Sequence, residues 1–282
     1  MADNERTAEL VRKLAALPMF PPTAVGLLGI SAESDTAIED YERAFKSDPA
    51  LAADLFRAAN SAEFGLVDRI ESVRQAITLL GLDRVRNLAL TVALGRYARQ
   101  LPTSTVVRPF LTHSVSVAVI AEELARIRSF STTGFYTAGL VHDIGRLGLI
   151  SSVDGYAQSL IRLAVGSQAA LDLEIEQHGL SHTEAGGVIS RSWRFPEWIC
   201  QAIRSHHASS EPAETDSRSR LIQLACAYAS AIGYPEPGER NIQTAFSFEL
   251  PADFRGRPTL EPERLRQRTV QMLLAVGHVK NY

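Results

Sequence analysis

Six residues able to bind a metal or move a proton lie in or beside apolar helical stretches: His113, His142, Asp143, His182, His206 and His207. His142 and Asp143 are adjacent within residues 136–150, YTAGLVHDIGRLGLI, an apolar run spaced by glycines. A helix carrying Ala138, Gly139, Val141 and Ile144 is buried on most of its circumference. An unpaired carboxylate in such a place costs several kcal/mol or more, so Asp143 needs a partner. One candidate is Arg146, one turn on, with His142 as a hydrogen-bonded core histidine. The other is a metal ion. Imidazole and carboxylate together suit iron, manganese, zinc or nickel. A dry histidine cluster held by hydrogen bonds is the alternative.

The remaining histidines need elements that aim them inward. Residues 106–128 read as a helix on which His113 shares a face with Phe110, Val117, Ala121 and Leu124, which is the core face. Ser181-His182-Thr183-Glu184 fits a capping box and puts His182 in the first turn of a helix. The pair Gly186-Gly187 on that helix permits close backbone approach. Pro196 opens a helix running to His207, with His206 on the face of Ile199, Ala202 and Ile203. His178 and His278 fall outside the pattern and read as surface histidines.

Upstream, helical spacing recurs over residues 8–17 and 23–30. It continues through Ile38, Tyr41 and Phe45 behind a cap at Asp35 or Thr36, and through 49–60, 72–80 and 83–97. Ser47-Asp48-Pro49 places proline at the tolerated first helical position. Strand alternation with turn dipeptides is missing, so the fold class is all-α: a helical bundle of two lobes. A Pro, Thr and Ser cluster near 101–103 suggests the division: 1–101, a lobe over 102–235, and an extension over 236–282 ending in a closing helix over 262–279.

The stretches SDPALAADLFRAANSAEFG and IESVRQAITLLGLDRVRNLAL resemble the N-terminal half of the HDOD (HD-related output domain) family. FLTHSVSVAVIAEELA, AGLVHDIGRLGLI and HTEAGGVISRSWRFPEWICQAIRSHH resemble its second half, so the similarity covers residues 14–235 with the motifs in the family's order. The resemblance implies an HD-like C-terminal lobe related to HD phosphohydrolases and HD-GYP phosphodiesterases. It also implies a bacterial signal-transduction role, usually without catalysis. On the HD pattern, His113, His142 and Asp143 match the first three ligands of one metal. Asp143 then bridges to a second ion held by His182, His206 and His207.

Three departures from that pattern bear on chemistry. HD enzymes close the first site with an aspartate on a later helix. In the matching stretch, RLIQLACAYASAIG, the position falls on Cys226, whose thiolate suits softer metals than a hard oxygen does. The HD-GYP relatives carry a lysine three residues after the aspartate, where this chain has Arg146, which cannot act as an acid at neutral pH. Gly233-Tyr234-Pro235 spells the GYP letters in the wrong place and reads as a helix stop. Glu214 or Asp216, in the polar loop after His207, could supply the missing carboxylate.

Composition narrows the rest. A length of 282 residues allows a sizeable core, and 45% hydrophobic with 22% charged residues is ordinary for a globular protein. The net charge of -3 gives no basic field for duplex nucleic acid. Two cysteines, Cys200 and Cys226, provide no disulfide framework and fit a reducing cytoplasm. The acidic start MADNERTAEL is unlike a signal peptide, and no apolar run is long enough for a bilayer. No Gly-rich phosphate loop, dinucleotide fingerprint or nucleophile elbow is present.

The expectation is therefore a cytoplasmic regulatory module, away from membranes, with no catalytic residue assigned. Its partners are signalling proteins, a nucleotide or cyclic dinucleotide, or a second copy in a homodimer. One or two divalent ions would be its only cofactor, with Arg146 and Cys226 as auxiliary site residues. A metal-dependent phosphohydrolase or phosphodiesterase is the competing expectation.

Overall fold

A computed structural model describes the chain except for residues 1, 32, 67–68, 102–103, 163–166, 209–216, 238–247, 276 and 278–282. Glu214, Asp216 and His278 thus lie outside the described residues. The helices, in chain order, are α1 (Ala2–Ala15), α2 (Pro22–Gly26), α3 (Ala37–Ser47), α4 (Pro49–Ala59), α5 (Val73–Leu80) and α6 (Leu82–Ala98). They continue as α7 (Ser104–Ile127), α8 (Thr133–Val141), α9 (Ile144–Ser152), α10 (Tyr156–Arg162) and α11 (Ser167–His178). The series ends with α12 (His182–Ser192), α13 (Glu197–Ser205), α14 (Ser217–Ala231) and α15 (Pro262–Ala275). No strand occurs among the described residues, and the fold is all-α, as the periodicity predicts. No helix among them is long and apolar enough to cross a membrane.

The chain forms two compact units, one of Met1–Met19 with Ala98–Leu265 and one of Phe20–Tyr97 with Arg266–Tyr282. In the second, the helix starts follow their capping residues. Asp48 Oδ1 accepts from Leu51 N at 2.9 Å, with Pro49 in the first turn of α4. Ser72 Oγ accepts from Gln75 N at 3.1 Å to open α5. The expected cap before α3 differs: Thr36 makes no capping bond, and its hydroxyl donates to Asp40 Oδ2 at 2.9 Å. Tyr41, Phe45, Leu51, Leu55, Ala58, Ala76 and Ile77 form the core of this unit.

The first unit is organised by α7. Val115, Val117, Ala118, Ile120, Ala121 and Leu124 are all buried, so the helix is covered on most of its circumference. It packs on α8 and α14, α9 packs on α12, and α13 joins α12 to α14. Two glycines set the closeness of these contacts. A Cβ on Gly139 would meet Ala118 Cα at 2.7 Å. A Cβ on Gly145 would overlap the His182 carbonyl oxygen and lie 2.6 Å from Gly186 N. The capping box at the start of α12 is present: Ser181 Oγ accepts from Glu184 N at 3.2 Å, and Glu184 Oε2 accepts from Ser181 N at 3.0 Å.

One expected element is divided. Residues 136–150 do not form a single helix: α8 ends at Val141, His142 and Asp143 make a turn, and α9 starts at Ile144. The His142 ring contacts the Gly139 carbonyl oxygen through Nδ1 at 2.7 Å, competing for an acceptor that the next turn of helix would use. Asp143 takes φ -106 and ψ 18, which leaves the helical track.

Candidate metal centre

Three helix ends and one helix face in the first unit bring the imidazoles together. His113 lies midway along α7, His142 just past the end of α8, His182 at the start of α12, and His206 and His207 just past the end of α13. His113, His142, Asp143, His182 and His206 are buried, and His207 nearly so. Four of the five rings are turned by a contact through Nδ1. His113 meets the Tyr234 carbonyl, His142 that of Gly139 and His206 that of Ile203, each at 2.7 Å. His182 Nδ1 meets Glu174 Oε2 at the same 2.7 Å. With Nδ1 as donor, the proton is fixed there and the Nε2 lone pair faces inward.

The inward atoms fall into two groups. His113, His142 and Cys226 each bring one donor atom within 4.8 Å of the other two, and His182, His206 and His207 do the same. The groups adjoin: the His142 and His206 rings are 4.9 Å apart, and His182 and His206 are 5.3 Å apart. Asp143 sits beside the second group, its Oδ1 3.4 Å from His182 Nε2 and 3.8 Å from His206 Nε2. All six ligand-type residues of the sequence pattern therefore converge, and Cys226 joins them.

Among the described residues, the Nε2 atoms of His142, His182, His206 and His207 have no hydrogen-bond partner. His207 Nε2 is 3.3 Å from Glu236 Oε1, within ion-pair range but without hydrogen-bond alignment. A buried acceptor left so costs about 1–3 kcal/mol. With the Nε2 atoms of His142, His182 and His206 unpaired and that of His207 facing Glu236, the rings are not bonded to one another as a hydrogen-bonded histidine cluster would be. Donors on a tetrahedral ion stand about 3.3–3.8 Å apart for bonds near 2.0–2.3 Å. Groups spanning at most 4.8 Å are close to that spacing, and the donor set fits a divalent ion.

Burial lowers the His142 pKa to about 4 against the pull of Asp143. It also pushes His206 well below the usual range, helped by repulsion from His207, His142 and His182. His207 is the exception. Burial opposes its protonation, but the Glu236 carboxylate outweighs burial and raises its pKa.

Beside the imidazoles lies a buried ion cluster centred on Arg146, whose side chain is 2% exposed. Its Nε donates to Asp143 Oδ1 and Oδ2 at 3.0 and 2.8 Å. Nη1 reaches Glu174 Oε1 at 3.4 Å, and Nη2 reaches Glu236 Oε2 at 2.9 Å. Tyr156 adds its hydroxyl to Glu174 Oε1 at 2.6 Å. Burial disfavours the ionised form of Glu174, yet His182, Arg146 and Tyr156 bring its pKa down to about 2. Burial is likewise outweighed at Glu236, where His207, Arg146 and His113 hold the carboxyl well below the usual range. One guanidinium against three carboxylates leaves an excess of negative charge that a cation or ring protonation must offset.

The Asp143–Arg146 pair is the partner that the local spacing offers, and it coexists with the inward imidazoles. The expectations did not include Glu174, Tyr156 and Glu236. Glu174 left a trace: it lies three and four residues after Leu171 and Ala170, on their buried face. Glu236 left none, because it sits in the irregular segment after α14, where no periodicity speaks for burial. The helix stop at Gly233-Tyr234-Pro235 has the expected form. Gly233 has φ +101, Gly233 N donates to Ser230 O at 3.1 Å, and Tyr234 N to Ala229 O at 2.9 Å. The same turn supplies the carbonyl that orients His113 and delivers Glu236 to the centre.

A helical unit that gathers a His-Asp pair with four further imidazoles is of the HD-related class. The HDOD domain model matches residues 17–209, and the chain belongs to the HDOD family. An HDOD domain protein of unknown function from Geobacter sulfurreducens has the same fold, with a TM-score of 0.71 at 22% identity over 95% of this chain and 92% of that one. An uncharacterised protein of Treponema pallidum is 24% identical over 209 residues, 71% of this chain and 39% of that protein. Ribonuclease Y of Pseudothermotoga lettingae is 30% identical over 130 residues, 46% of this chain. The match spans 19% of that enzyme, so the chain covers well under half the length of either relative.

Proposed function

We propose that this chain is a regulatory HDOD module of bacterial signal transduction that binds a partner protein or a nucleotide and carries out no turnover of its own. Its histidine centre holds one or two divalent ions, of iron, manganese, zinc or nickel. His113, His142 and Cys226 would hold one ion and His182, His206 and His207 the other. A bound divalent ion supplies positive charge and Lewis acidity there. The chain's own residues do the rest: the Nδ1 contacts aim the rings, Glu174 orients His182, and burial keeps His142 and His206 neutral. In this reading the module works in the cytoplasm, away from membranes and duplex nucleic acid.

The observation that supports the absence of catalysis is the bond from Arg146 to both oxygens of Asp143. On the HD pattern that carboxylate serves the metals. Here it is tied to a buried guanidinium, and separating such a pair costs about 3–5 kcal/mol. Cys226 in place of the closing aspartate weakens the case for a hard, water-activating ion further.

A second reading, a metal-dependent phosphohydrolase, is favoured by the full set of inward imidazoles and by the likeness of 130 residues to ribonuclease Y. The two separate in one assay: hydrolysis of cyclic dinucleotides and of a generic phosphodiester, with manganese or iron(II) under reducing conditions. The expected result is no turnover above that of His142→Ala. Turnover on the order of 1 s⁻¹ that His142→Ala removes would establish the enzyme instead.

A further inference from the structure

The carboxylate missing from α14 has a replacement in space. Cys226 stands on α14 with its Sγ 3.5 Å from His113 Nε2, at the position that the HD pattern gives to an aspartate. Glu236 comes from beyond the helix stop, ten residues later, and returns to the same place. Its Oε1 lies 3.3 Å from Cys226 Sγ and 3.3 Å from His207 Nε2, beside one member of each donor group. That oxygen stands outside the 4.8 Å span that either group shares, and a small shift of the Glu236 carboxylate would bring it to the ion. Its Oε2 is held by Arg146 at 2.9 Å, which fixes the plane of the carboxylate and turns the other oxygen toward the donors. The side chain is 8% exposed, and a carboxylate so far from water needs a cationic environment.

We propose that Glu236 is a metal ligand of the His113, His142 and Cys226 group, taking over the role of the lost helical aspartate from a different segment of the chain. This rests on the metal-holding reading above. It also sharpens that reading. Two imidazoles, a thiolate and a carboxylate make four protein donors, the closed set of a structural site, whereas catalytic sites keep a position open for water or substrate. The mixed set suits a borderline ion such as zinc or iron(II) better than magnesium or calcium. The polypeptide then ties α7, the end of α8, α14 and the segment after it to one ion.

The test uses the full chain, stripped with a chelator under reducing conditions and titrated with Zn²⁺ and with Co²⁺, whose thiolate charge-transfer band reports on Cys226. Wild type should bind and show the band. Glu236→Gln, equal in size and without charge, should weaken binding at least about tenfold and alter the band. Adding Cys226→Asp to it should restore affinity while abolishing the band. If Glu236→Gln does not fold, Glu236→Asp keeps the charge facing Arg146 and should show the same loss through its shorter reach. Affinity within about twofold of wild type with an unchanged band, in a folded variant, would overturn the role of Glu236 and leave the metal reading standing. Failure of the wild type to bind either ion would overturn both.

Discussion

Gly145→Ala is expected to destabilise the histidine-bearing unit by about 3 kcal/mol or more, seen as a loss of roughly 10 °C in Tm. The reason is the contact of α9 with α12. The added methyl would overlap the His182 carbonyl oxygen and lie 2.6 Å from Gly186 N, and both neighbours are backbone. A flexible side chain could swing away, but a helix backbone can only move as a whole. Moving α12 shifts His182 off Glu174 and out of its group, so metal binding should fall with stability. Gly26→Ala is the control: a Cβ there meets nothing within 4 Å and the site is helical, so Tm should hold or rise slightly. A Gly145→Ala protein that melts within about 2 °C of wild type would mean that α9 and α12 are not packed as described.

Arg146→Met should cost a comparable amount, about 3–5 kcal/mol, because it leaves Asp143, Glu174 and Glu236 facing one another without their shared cation. Arg146→Lys should recover only part of this. Nε, Nη1 and Nη2 each serve a different carboxylate, and an ammonium offers no such fork. Thermal melts with and without divalent ions separate the charge effect from packing. Added Mn²⁺ should raise the Tm of Arg146→Met by more than that of wild type, since an ion can offset charges that the arginine no longer holds. Adding Glu236→Gln to Arg146→Met should return part of the stability, by removing one of the stranded charges. Wild-type stability in Arg146→Met would show that the guanidinium does not hold Asp143 away from a metal.

Much of this centre was legible in the sequence because helical periodicity reports which way a side chain points. His113 among Phe110, Val117, Ala121 and Leu124, and His206 among Ile199, Ala202 and Ile203, declare inward faces before any coordinates. The capping box fixes His182 at a helix start just as directly. What periodicity cannot report is an interruption made by a side chain. The turn at His142 and Asp143 depends on an imidazole taking the Gly139 carbonyl, and the surrounding run reads as continuous helix. Nor can it report a residue delivered by irregular chain. Glu236 has no helical face, so its place beside Cys226 follows only from the left-handed turn at Gly233 and the direction it gives to Tyr234 and Pro235. Glu174 lies between these cases, on a buried face but in a helix with more polar than apolar residues.

If the inward Nε2 atoms are gathered for a cation, the purified protein should carry one. The direct measurement is elemental analysis of the full chain purified under reducing conditions without chelator, beside a His142→Ala, His206→Ala double variant. The predicted result is about one or two equivalents of a transition metal per wild-type chain, with most of it lost in the variant. Wild-type protein that carries less than about a tenth of an equivalent, and takes up none on incubation with manganese, iron(II), zinc or nickel, would contradict it.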